Sequence, residues 1–137
     1  MKRVFLICLL LTACSKPQPA ETPQATVEAP PSVSDTWPGK YEGDLMVRVS
    51  GTPGAHKLIL VAATADGCTG DIGLAGGELA KDVSPDELQL FLHPDDKTAC
   101  TVDVKNAGDT LTVSESGICT AYHGLSCSFN GSARRLK

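Results

Sequence analysis

The chain has 137 residues, 42% of them hydrophobic, 20% charged and 4% aromatic, and a formal net charge of -4. That length accommodates one ordinary domain plus accessory segments, and the acidic balance argues against a nucleic-acid partner, which needs a basic face. No apolar stretch approaches the roughly 20 residues that a membrane-spanning helix requires.

Met1-Lys2-Arg3 is a short basic start, and Val4 to Leu11 is an apolar run of eight residues. This fits the basic and apolar regions of a secretory signal peptide. In place of an A-x-A-like cleavage site the chain reads Leu11-Thr12-Ala13-Cys14. That run resembles the bacterial lipobox. The resemblance implies a signal peptide over residues 1–13, with Cys8 leaving in it. It also implies a mature chain that starts at Cys14, lipid-modified (palmitate among the acyl groups). More than one acyl chain anchors stably, at about 0.8 kcal/mol per buried CH₂. An Asp after the cysteine would imply inner-membrane retention in a Gram-negative cell. Ser15 stands there instead, so the expected location is the cell envelope, at the outer membrane facing the periplasm.

Residues 14–35 form the expected tether. Five of the 21 residues from Ser15 to Asp35 are proline and the rest are mostly small or polar. Such a segment cannot bury enough apolar surface to offset its ordering entropy. Extended at about 3.1 Å per residue, it would reach roughly 65 Å. Residues 36–137 then form the single folded domain. Losing Lys2 and Arg3 with the leader removes two of the 12 basic residues and none of the 16 acidic ones, moving the net charge from -4 to -6.

The domain opens with Trp37-Pro38-Gly39-Lys40-Tyr41. This W-x-G-x-Y run resembles the first strand of small β-barrel domains, including calycin-like ones, which implies aromatic residues plugging one barrel end. Leu45, Val47 and Val49 alternate with polar or exposed-type positions, the period of a half-buried strand. Gly51-Thr52-Pro53-Gly54 is a turn. Lys57 to Ala62 reads as a central strand, turned at Asp66-Gly67, and Ile72 and Leu74 mark the next. Ser84 to Leu88 carries a helix-start signal, with Pro85 at a first-turn position. Leu88, Leu90 and Leu92 alternate up to a break at His93-Pro94-Asp95-Asp96. Val102 and Val104, then Leu111 and Val113, continue a meander around the turn at 106–109, and Phe129 is expected to begin the last strand. The expected fold is all-β, a small antiparallel barrel or sandwich of about seven to eight strands, stapled by disulfides.

Four cysteines remain in the domain: Cys68, Cys100, Cys119 and Cys127. An even count in an exported chain reads as two disulfides. Of the three pairings, the spacing favours Cys119 with Cys127 across a seven-residue loop and Cys68 with Cys100. The absence of C-x-x-C and of close Cys/His pairs argues against zinc.

Chemistry-bearing motifs are sparse. His56, His93 and His123 lie in separate segments. His93 with Asp95 and Asp96 reads better as a solvated turn than as a metal site, so no metal and no cofactor are expected. Ser126 lies three residues from His123 but not in a G-x-S-x-G elbow. The oxidised cysteines offer no thiolate, and the glycines of residues 67–77 open no phosphate-binding helix. The chain is therefore not expected to be an enzyme. The most informative run is C-T-A-Y-H-G-L-S-C at 119–127. Closed by a disulfide, it would hold Tyr122, His123 and Ser126 on a rigid tip, and rigid loops lose little entropy on docking. The alternative is that Tyr122 packs inward and His123 decorates a turn.

A lipobox, a Pro-rich tether and an acidic, disulfide-stapled β domain together resemble the small periplasmic lysozyme-inhibitor lipoproteins of Gram-negative bacteria (the MliC/PliC type). The resemblance lies in organisation, and no inhibitory residue is carried over. It implies a membrane-anchored periplasmic lipoprotein whose β domain binds, and inhibits, a cationic host enzyme such as lysozyme. The other reading is a structural or assembly adaptor of the cell envelope without inhibitory activity. The expected partners are the membrane, through the lipid anchor, and a cationic protein.

Overall fold

The computed structural model describes residues 34–137. The expected signal peptide (1–13), the expected lipidation site Cys14 and the expected tether up to residue 33 lie outside the described residues. Ten strands follow in chain order: β1 Gly39–Gly43, β2 Leu45–Ser50, β3 Lys57–Ala63, β4 Thr69–Ile72, β5 Glu78–Leu79, β6 Lys81–Ser84, β7 Glu87–Asp95, β8 Thr98–Asn106, β9 Thr110–Gly117 and β10 Gly131–Arg135. All pairs are antiparallel, in the order β4-β3-β2-β1-β10-β9-β8-β7-β6, with β5 also on β3. The sheet curls into a half-barrel. Its two ends are linked by a single extended stretch, because β5 pairs with β3 while β6, beyond Ala80, pairs with β7.

Alternation builds the core. In β2, Leu45, Val47 and Val49 are buried while Met46, Arg48 and Ser50 are exposed. Leu58, Leu60 and Ala62 of β3, Leu88, Leu90 and Leu92 of β7, Cys100, Val102 and Val104 of β8, and Leu111 and Val113 of β9 point to the same interior. Each fully buried aliphatic side chain contributes about 1.5–3 kcal/mol.

The strand count exceeds the expected seven to eight because Glu78 to Ser84 forms two strands without an apolar alternation to announce them. Only Ala80 of that stretch is buried, while Leu79 and Val83 are exposed. Ser84 to Leu88 is not a helix start: Ser84 pairs with Glu87, so Pro85-Asp86 is the turn of the β6–β7 hairpin. β7 runs through His93-Pro94 to Asp95, and Phe129 is a buried loop residue ahead of β10.

Strand direction sorts the connections between two ends. The near end holds residues 34–38, the β2–β3 loop, the β6–β7 and β8–β9 turns and the C-terminus. Trp37 and Tyr41 fill it. The Trp37 indole N–H donates to the Pro85 carbonyl at 3.0 Å, and the Tyr41 hydroxyl donates to the Trp37 carbonyl at 3.0 Å. The Arg135 guanidinium lies 4.5 Å from the Tyr41 ring centroid and donates to the carbonyls of Pro38 and Thr36. The far end holds the β1–β2, β3–β4 and β7–β8 turns and the long connection 118–130.

Candidate functional site

Both disulfides lie at the far end, with a different pairing from the one the spacing favoured. Cys68 bonds Cys127, 59 residues apart, and Cys100 bonds Cys119, 19 apart. The reason is the path of residues 118–130, which do not form a local hairpin. Gly117, at φ 84°, turns the chain sharply back over the start of β8, and an added Cβ there would strike the Ala99 carbonyl. Ile118 N–H donates to that carbonyl at 2.8 Å. Cys119 thereby meets Cys100, whose ladder partner is Gly117.

The chain then runs along the outer edge of β4. Asp71 N–H donates to the Tyr122 carbonyl at 2.9 Å, Gly124 N–H donates to the Thr69 carbonyl at 3.1 Å, and Gly70 bridges to His123. Gly70 has no Cβ because the Cβ of His123 occupies that space. This contact carries Cys127 to Cys68.

The expected exposed tip of Tyr122 and His123 is therefore an inward-facing clasp. Tyr122 is half-buried against the core, and burial together with the nearby Glu78 charge pushes its hydroxyl pKa up. The His123 side chain is 5% exposed. Its Nδ1 donates to the Gly124 carbonyl at 2.7 Å, its Nε2 lies 3.1 Å from Glu115 Oε1, and its ring meets Phe129 edge-on at 5.3 Å. The other Glu115 oxygen accepts from Phe129 N–H at 2.9 Å. With both ring nitrogens engaged, His123 is in no position to activate Ser126, which is exposed.

The residue that does stand at the tip is Leu125, 92% exposed, which the sequence reading passed over. A bulky aliphatic side chain between Gly124 and Ser126, two residues before Cys127, was the available signal. Ile118, at the other side of the same connection, is also exposed. The far-end turns also carry carboxylates. Asp44 is held below the usual carboxylate range by the backbone N–H and hydroxyl of Ser132. Asp66 is lowered first by the Thr64 hydroxyl, and Asp95 first by the Lys97 backbone N–H. Asp96 shares the β7–β8 turn with Lys97. The far end thus carries an exposed apolar side chain on a disulfide-held connection and several exposed turn carboxylates.

The remaining histidines do not converge with it. His93 is exposed and packs edge-on against Phe91 at 4.4 Å, and His56 is buried at the near end. Among the described residues no three His, Cys, Asp or Glu side chains gather where a metal could bind. A second apolar surface, a groove of about 380 Å³ on the outer face of β1–β3, is lined by Met46, Ile59, Leu74 and Leu136 with Lys40 and Arg48 beside them. No protein family model, curated protein or solved structure matches the chain.

Proposed function

We propose that this protein is a lipid-anchored envelope protein, tethered through Cys14 and residues 14–35 at the outer membrane facing the periplasm, whose β domain binds a cationic protein with its far end. Lysozyme is the leading candidate partner and its inhibition the proposed activity. The observation that carries the reading is the placement of Leu125. It stands exposed on a connection held by both disulfides, at the same end of the domain as the turn residues Asp44, Asp66, Asp95 and Asp96, while the chain enters the domain at the opposite end. This face lies at the end of the domain away from residues 34–38, where the chain enters it. Its rigidity limits the entropy lost on docking, and its charge speeds encounter with a basic surface.

The test is titration of the oxidised protein into lysozymes of several types while cell-wall lysis is followed. Loss of lysis near stoichiometry, weakened in Leu125→Asp and in Asp66→Lys, is the expected result. Undiminished lysis with every type would remove lysozyme as partner and favour the envelope-adaptor reading.

A further inference from the structure

Among the described residues, the one buried polar or charged residue is His56, 1% exposed, where the β2–β3 loop enters β3 at the near end. Its Nδ1 lies 3.0 Å from Oδ1 and 3.2 Å from Oδ2 of Asp82, in β6. Its Nε2 lies 3.0 Å from Oδ2 of Asp35, ahead of β1. Ionised carboxylates only accept hydrogen bonds. Both ring nitrogens therefore donate, and the imidazole is charged. Each carboxylate is held in turn: Asp82 accepts from Gly54 N–H at 2.7 Å and Asp35 from Trp37 N–H at 3.1 Å. The two acids approach opposite sides of the ring, so they fasten it and share no metal position.

The charged groups facing the ring are these two carboxylates. Lys57 beside it on β3 and Lys81 on β6 are exposed, and Arg135 is committed to the Thr36 and Pro38 carbonyls and to Tyr41. The Trp37 ring lies 6.1 Å away. Burial works against the imidazolium, but the bonds and charges of Asp82 and Asp35 more than offset it, and the pKa of His56 is raised above the ordinary 6.5. For Asp82 burial pulls upward, the bonds from His56 and Gly54 prevail, and its pKa is lowered from 3.8.

We propose that Asp35, His56 and Asp82 form a protonation-operated latch, which fastens the approach of the chain to the domain onto the β5–β6 stretch and releases it when the ring loses its proton. The sign follows from linkage. A histidine raised in the folded state contributes stability that is fully present below 6.5 and lost as pH rises through the raised value. A lowered carboxylate contributes stability present above 3.8 and lost as pH falls. The latch holds between those limits and opens on their alkaline and acid sides. Its operation does not depend on lipidation. In an anchored chain, what it fastens is the last stretch of the tether.

The chain has one tryptophan, so its fluorescence reports on Trp37 alone, and a charged imidazole beside an indole quenches emission. The test follows Trp37 emission of the full-length protein from about pH 5 to about pH 9, with protease cleavage at residues 34–38 measured at the same pH values. The expected result is a single emission midpoint above 6.5, with cleavage rising through it. Asp35→Asn, at a partly exposed position, should move that midpoint down by about one pH unit and make cleavage faster below it. A midpoint at or below 6.5, a midpoint unmoved by Asp35→Asn, or cleavage that ignores the titration would each overturn the latch. Far-ultraviolet circular dichroism of each sample separates opening of the latch from global unfolding.

Discussion

Leu125 and His123 are two residues apart and do opposite work. A single exposed apolar side chain is normal on a protein surface, but Leu125 stands on a segment fixed by a disulfide, so its exposure is built in. Leu125→Asp should leave the melting temperature within about a degree, because the side chain contributes little to folding. The same change should weaken a partner that docks at the far end by tenfold or more, on the order of 1.4 kcal/mol. Calorimetry of folding and of binding on one sample checks both halves. His123 behaves the other way. Glu115 satisfies both its ring and the Phe129 N–H, so Glu115→Ala strands a nearly buried imidazole and a backbone donor at once. The expected cost is about 1–3 kcal/mol of stability, measured by urea unfolding, with partner affinity little changed once the folded fraction is accounted for.

At the level of elements, residues 119–127 act as a cover for a sheet edge. β4 ends the ladder, and an uncovered edge strand is a template for pairing with another chain. The Tyr122 carbonyl and the bridge to His123 occupy that edge, and Cys68–Cys127 holds the cover in place. Chain entropy assigns about 4 kcal/mol to the disulfide that joins residues 59 apart and about 3 kcal/mol to the one that joins residues 19 apart. Replacing Cys68 and Cys127 together by Ser should lower stability by that order and also produce dimers or larger species as the edge opens. Replacing Cys100 and Cys119 should lower stability without self-association. Light scattering beside thermal melts separates the two outcomes. At the other end of the ladder β6 is short and carries the exposed Lys81, which protects that edge by charge rather than by a cover.

The whole molecule divides its chemistry between its ends. The near end is a closed network of Trp37, Tyr41, Arg135 and the charged His56. The far end is a disulfide-held surface of carboxylates. Asp44, Asp66 and Asp95 all have lowered pKa values through hydrogen bonds to local donors. Their contribution to stability is present above 3.8 and lost as pH falls toward and below it, so acid unfolding should begin in that region. Because the same groups, lowered from 3.8, are already ionised at about pH 5, binding of a cationic partner should be flat from about pH 5 to 6. It should weaken several-fold between about 0.05 M and about 0.5 M salt as screening shortens the reach of the far-end charges. Binding unaffected by salt would place the contact away from these carboxylates.

The all-β class, the disulfide count and most of the core were legible in the chain. Alternation such as Leu45-Val47-Val49 or Leu88-Leu90-Leu92 is a local consequence of a strand having one wet and one dry face. Trp37 and Tyr41 were likewise legible as large apolar groups near the domain start. What local pattern does not encode is which distant segments meet. The disulfide partners followed from Gly117 bending the chain and from Gly70 admitting His123, both long-range steric facts. Glu78 to Ser84 forms strands because two separate partners lend it ladders, not through a periodicity of its own. Asp35 reads as the end of a polar tether and becomes half of an ion-pair network only because His56, 21 residues on, is buried beside it. Burial and charge pairing belong to the assembled sheet, and so do the exposed Leu125, the clasp around His123 and the latch at His56.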